Sequence, residues 1–135
     1  MKHLLKYLLA AAALLLWGQA AAAGPFGQLR GLCEPGKSVL LTAPTVVEGI
    51  VVSDFHSKNM EANPSVSYDK VDVTVNDCTA YLESPDGRYG FRLKFAAPAD
   101  NVCLRGEQVK ILLDGVTLSR ESDPMRYTLR GLKAG

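Results

Sequence analysis

Histidine is all but missing from this chain. There are two, His3 and His56, and nothing pairs them at a spacing that holds a metal. With only three scattered cysteines, that excludes a Cys/His zinc centre. It also leaves His56 as the one imidazole beyond the N-terminal stretch. Tryptophan occurs once, at Trp17. Neither sign of charge prevails: 15 Lys and Arg face 14 Asp and Glu, for a formal net charge of +1. Such a chain has no global pull toward nucleic acid or an anionic membrane, so any basic surface is local. After residue 23 there is no internal repeat, no low-complexity tract and no sustained helical period. Nor is there an apolar run approaching the ~18–20 residues that span a bilayer.

What is present begins with an address. Lys2 and Lys6 give a positive start, Leu8–Leu16 is unbroken leucine and alanine, and Ala21-Ala22-Ala23 offers a small-x-small site before Gly24. That order predicts a secretory signal peptide over residues 1–23 and a location in the periplasm, outside the cell or in the envelope. The run from Tyr7 to Trp17 is 11 residues, too short for a membrane anchor. No transmembrane segment is therefore expected after cleavage. Removing 23 of the 135 residues leaves 112, with 13 basic and 14 acidic side chains. That is one small domain with a single core.

The remainder reads as β. Residues 24–38 form a leader segment punctuated by Gly and Pro, with a helical turn over Phe26-Gly27-Gln28-Leu29. Val39–Asp54 is rich in Val, Ile and Thr, which suit a pleated strand, and Pro44 marks its start or a bulge. Phe55–Asp69 is a polar loop. Val71, Val73 and Val75 alternate with polar residues, and the count resumes on the other parity at Cys78, Ala80 and Leu82, as a β-bulge would make it. Ser84-Pro85-Asp86-Gly87 is a turn in which proline presets φ and glycine accepts a positive one. It joins Thr79–Glu83 to Arg88–Phe95. Ala96–Arg105 is a connection with room for a short helix. Gln108–Asp114 and Met125–Leu129 are the last two strands. Five strands with the longest gap between the third and fourth is the plan of an OB-type Greek-key barrel, so an all-β OB-like domain is expected over residues 39–135.

Three cysteines in an exported chain allow one disulfide. Cys78, on the inward parity of the second strand, and Cys103, in the connection that closes the barrel end, are the expected pair. Cys33 is left either free or paired elsewhere. It follows Arg30-Gly31-Leu32, which is not a lipid-attachment setting.

Three segments carry a specific resemblance. Val47-Glu48-Gly49-Ile50-Val51-Val52-Ser53-Asp54 followed by Asn59, Tyr81-Leu82-Glu83-Ser84-Pro85-Asp86-Gly87-Arg88-Tyr89-Gly90-Phe91, and Gly106-Glu107-Gln108-Val109 running on to Gly115 are similar, in order and spacing, to an uncharacterised family of exported bacterial OB-like domains. Its members occur in envelope proteins and lipoproteins, sometimes beside nuclease- or phosphatase-like domains. The resemblance covers roughly residues 26–132. It implies an OB-like fold, an extracytoplasmic binding role and no catalytic residues. The family's usual lipid-attachment box is missing here.

Other motifs carry less. Gly31-Leu32-Cys33-Glu34-Pro35-Gly36-Lys37-Ser38 matches the phosphate loop G-x-x-x-x-G-K-S. That chemistry needs a buried strand before the loop and a helix after it. Neither is expected, so the match reads as chance. Asp54 and His56 are two residues apart in a loop, without a nucleophile elbow to complete a triad. Glu48 reads as an outward or edge carboxylate. Asp54, Asp69 and Asp72 lack calcium-loop spacing. No catalytic residue, metal or cofactor is expected.

The outer face of the hairpin is the candidate site. On strand parity Tyr81 points out on one arm, and Arg88, Arg92 and Lys94 on the other. An aromatic beside guanidinium groups stacks on a base or a sugar ring. The expected function is a secreted, non-catalytic OB-type module for a polysaccharide or an envelope protein. A hydrolase accessory domain or a nucleic-acid-binding OB domain is the alternative.

Overall fold

The computed structural model describes residues 26–58, 60, 72–122 and 125–134. The expected signal peptide, its cleavage point before Gly24, and most of the Phe55–Asp69 segment lie outside the described residues. The chain divides into two units, Met1–Leu32 and Cys33–Gly135. In the first, residues 26–31 form the helical turn anticipated at Phe26, here α1.

The second unit is all-β, with seven strands in one mixed sheet. In chain order they are β1 (Ser38–Leu40), β2 (Val46–Val51), β3 (Thr79–Glu83), β4 (Gly90–Phe95), β5 (Gln108–Leu112), β6 (Thr117–Ser122) and β7 (Met125–Leu132). Across the sheet the order is β1-β6-β7-β4-β3-β2-β5. Every pair is antiparallel except β4 with β7, where Arg92 meets Thr128 and Leu93 meets Leu129 in parallel register. The Val39–Asp54 strand is interrupted between Leu40 and Val46, at Pro44. Backbone bonds cross that interruption: Leu41 N to Val116 O and Gly115 N to Leu41 O at 2.8 Å, and Leu113 N to Thr45 O at 2.9 Å.

Alternation puts the core on one face. Val47, Val51, Leu82, Leu93, Leu113, Leu118 and Leu129 are no more than 1% exposed. Phe91 joins them and meets the Tyr127 ring at 5.7 Å between centroids. Gly49 sits where β2 crosses β3. A Cβ there would lie 2.6 Å from Leu82 Cγ and 2.8 Å from Glu83 O, so only glycine permits the approach. The Ser84–Gly87 turn forms as expected, with Gly87 at φ +73 and Gly87 N donating to Ser84 O. The Ala96–Arg105 connection holds a short 3-10 turn, Pro98–Asp100.

Four expectations are corrected. The Val71–Val75 alternation is not a strand among the described residues: Val73–Asp77 is a helical turn, α2. Asp72 caps it, its carboxylate accepting from Val75 N at 3.1 Å, and local capping of this kind outcompetes the β preference of valine. Cys78 consequently ends α2 instead of pointing in from a strand. β6 was not anticipated, because its inward side offers little apolar material beyond Leu118 to betray the period. Finally, Phe95 is half-buried where full burial was expected, since the β4–β7 register shifts between Lys94 and Phe95.

Candidate functional site

The expected face is assembled by β3, β4 and, unforeseen, β7. Register sets Tyr81 beside Arg92, and Arg92 beside Thr128. These residues border a groove of about 350 Å³ at the turn end of the β3–β4 hairpin. Among the described residues, Tyr81, Tyr89 and Tyr127 line it together with Arg88, Arg92 and Arg126, with Glu83 as the lone acid. Val52, Leu82, Phe91 and Met125 supply apolar wall.

Of the four residues singled out, Tyr81, Arg88 and Arg92 line the groove and Lys94 does not. Lys94 turns across the sheet, its Nζ donating to Thr79 Oγ1 at 2.7 Å. Arg88 is exposed and lies 3.8 Å from Asp86 through Nε. Tyr81 is half-buried, its hydroxyl donating to Met60 O at 3.4 Å and its amide to Ser53 Oγ at 2.8 Å.

Arg92 is the main correction. Expected to be solvated, it is 7% exposed. Its Nε donates to Thr128 Oγ1 at 3.1 Å and its Nη2 to Glu121 of β6. Strand parity correctly puts it on the outward face. Burial follows from the parallel strand beside it, whose Thr128 is itself 0% exposed. Arg92 thus spans from β4 over β7 to β6, its guanidinium engaged by Thr128 and Glu121. Sequence reasoning missed Met125, Arg126 and Tyr127 because only the β4–β7 pairing brings them there.

The Asp54–His56 region is a cap. Asp54 begins the 3-10 turn Phe55–Ser57. It accepts from His56 N at 3.0 Å and Ser57 Oγ at 3.1 Å, with His56 Nδ1 at 3.1 Å. The backbone donor at His56, followed by its ring, holds the Asp54 carboxyl below its ordinary value. The serine proton goes to the aspartate, not to the imidazole, so the trio is not set up as a nucleophile and base. Nearby, Lys58 Nζ at 2.6 Å, then Asn76, hold Asp77 low in the same way. Glu48 is an outward carboxylate on β2, which lies between β3 and β5, and is 3.2 Å from Lys110 Nζ.

The expected Cys78–Cys103 bridge is not formed: Cys33, Cys78 and Cys103 are free thiols. Asn101 ties this region instead, its Nδ2 donating to Asp77 O at 2.8 Å and Thr79 O at 3.2 Å. Burial pushes the Cys78 and Cys103 thiols up from their ordinary value, which makes both poor nucleophiles. Among the described residues no helix is long and apolar enough to cross a membrane. Compared with known proteins, the chain matches no family model, no curated protein and no solved structure.

Proposed function

We propose that this chain is an exported, non-catalytic binding module of OB type that holds a polysaccharide along the groove between the β3–β4 hairpin and β7. The carrying observation is the groove's lining, three tyrosines and three arginines around one glutamate. Tyrosine faces stack on sugar rings, and guanidinium forks bind hydroxyls and carboxylates.

The sheet order supports the OB reading. Taking β1 with β2 as one interrupted strand, and β5 with β6 as another, leaves five. The bonds Leu41–Val116, Gly115–Leu41 and Leu113–Thr45 carry the ladder across both interruptions. The order is then the joined β5/β6, the joined β1/β2, β3, β4 and β7, with β7 returning to β6. One parallel contact within an otherwise antiparallel set fits a five-stranded Greek-key barrel. In that count β3 and β4 are strands two and three, the face such barrels use for oligosaccharides and oligonucleotides. The charge, apolar core and small residues of the leader support export.

The test is calorimetric titration with a neutral glycan, an acidic glycan and single-stranded DNA at two salt concentrations. Tyr81→Ala is expected to weaken glycan binding by about 1–3 kcal/mol through lost stacking. Arg88→Glu is expected to weaken only the acidic glycan, with a clear salt dependence. Binding of DNA alone, with a steep salt slope, would replace this reading with the nucleic-acid one. If glycan is bound and Tyr81→Ala binds it as the parent does, the groove is not the site.

A further inference from the structure

Gly90 holds a place that the backbone does not reserve for glycine. Its φ is not positive. A Cβ there would meet nothing nearer than Leu82 O at 3.7 Å, an ordinary contact. Gly49, by contrast, is forced by the close approach of β2 to β3. Glycine on a strand costs stability and leaves a gap in the row of side chains, a gap that often marks the approach of a ligand. At Gly90 the gap opens into the groove.

Strand register decides what flanks the gap. Gly90 pairs with Glu83 on β3. On the other side Arg92 pairs with Thr128 of β7, and two residues before that pair stand Gly90 on β4 and Arg126 on β7. Alternation therefore puts Glu83 and Arg126 on the outward side with Tyr81 and Arg92, one to each side of the gap. Both residues line the groove. β3 and β7 are two strand spacings apart, roughly 10 Å, which leaves room for one pyranose ring between the two side chains.

Neither charge is spent within the fold: Glu83 and Arg126 have no ion-pair partner among the described residues. Glu121 faces Arg126 across the β6–β7 ladder, but it is engaged by buried Arg92 and lies 3.7 Å from Arg130 Nη2. Arg92, Arg126 and Arg130 thus share one carboxylate, and the excess positive charge falls on Arg126. We infer that the groove is specific for a uronate residue of an acidic polysaccharide, with Arg126 selecting the carboxylate. This rests on the reading of the groove as a polysaccharide site. A hexuronate carries its carboxylate on one edge of the ring and hydroxyls on the opposite edge. Arg126 takes the carboxylate in its guanidinium fork. Glu83 accepts from the hydroxyls and repels the carboxylate from its own side, so the ring enters in one orientation. The gap at Gly90 admits the ring edge, and Tyr81 is the stacking face beside it.

The experiment titrates the full chain by calorimetry with oligogalacturonate, oligomannuronate and oligoglucuronate, each as the free acid and as its methyl ester, and with a cello-oligosaccharide. The ester keeps every ring and hydroxyl and removes only the charge, so the ratio of acid to ester affinity is a readout that needs no variant. At least one acid is expected to bind about tenfold or more tighter than its own ester. Arg126→Gln brings that acid down to the affinity of the ester and leaves the ester unchanged. Arg126→Lys, which keeps the charge without the fork, falls between. Glu83→Gln weakens the ester about threefold or more. Gly90→Val, a residue suited to a strand, fills the gap and abolishes binding of both forms while chemical denaturation shows it folded. Saturable glycan binding that favours no acid over its ester overturns this inference and leaves the polysaccharide reading standing. So does a folded Arg126→Gln or Gly90→Val variant that binds the acid as the parent does. Binding of none of these glycans overturns both.

Discussion

From β1 across to β3 the outward row of the sheet reads Ser38, Ser119, Thr128, Arg92 and Tyr81. Across β2 and β5 the outward side carries Val46, Ile50 and Leu112, with Glu48 and Lys110 between them. The polar row is the more buried of the two: Thr128 is 0% and Arg92 7% exposed, against 48% for Val46 and 58% for Leu112. Chemistry and burial are inverted here. In the polar row Arg92 finds partners on the neighbouring strands, Thr128 and Glu121, so its burial costs little. On β2 and β5 a few apolar side chains, Val46 beside Leu112 among them, remain exposed at small penalty. Fold and candidate site are thus coupled at one end of the sheet and separable at the other.

The sharpest way to stress that coupling is beneath the polar row. Phe91→Ala removes a core ring packed near Tyr127, and a loss of about 3–5 kcal/mol is expected in chemical denaturation. It takes the groove with it, because Phe91 is also groove wall. Next comes Arg92→Met, which keeps much of the stem but strips the charged donors from Thr128 and Glu121. A loss of about 2 kcal/mol is expected, the scale of charge-assisted hydrogen bonds. A loss no greater than that at an exposed site would mean the row is ordinary surface. Leu112→Thr, at the other end, should change stability by less than about 0.5 kcal/mol. A large loss there would show that the apolar strip is packed against something.

The smallest expected effect is on acid stability. Asp54, Asp77 and Asp86 are held below their ordinary value of 3.8, Asp86 chiefly by the Ser84 hydroxyl. A depressed carboxylate adds stability that is fully present above its ordinary value and is lost as pH falls through its lower folded value. The thermal midpoint should therefore drop below pH ~4. The triple Asp→Asn variant should show a shallower drop. All three carboxylates belong to turns and caps and none to the polar row, so groove variants should keep the parental acid profile.

Much of the hairpin was legible because its signals are local. Ser84-Pro85-Asp86-Gly87 dictates its turn whatever surrounds it, and the alternation of Phe91 and Leu93 with Arg92 and Lys94 fixes which side faces in. Tyr81 and Arg92 could be assigned to one face for the same reason. Exposure could not be assigned, since parity names a side and only the neighbouring strand decides what covers it. The valines before Cys78 misled because one capping aspartate outweighs a short β pattern. Tyr127 could be read as inward from its own strand, yet its place at the groove depends on a strand some thirty residues distant in the chain.

By itself, then, the sequence determined the β class, the hairpin and its parity, all set by side chains within a few residues of one another. The tertiary structure alone decided that β7 lies parallel to β4, that Arg92 is buried between Thr128 and Glu121, and that β1 pairs with β6 through Ser38 and Ser119. Those are contacts between distant segments. The net hydrophobic gain of packing the sheet's apolar face selects them, and no local preference of the chain encodes them.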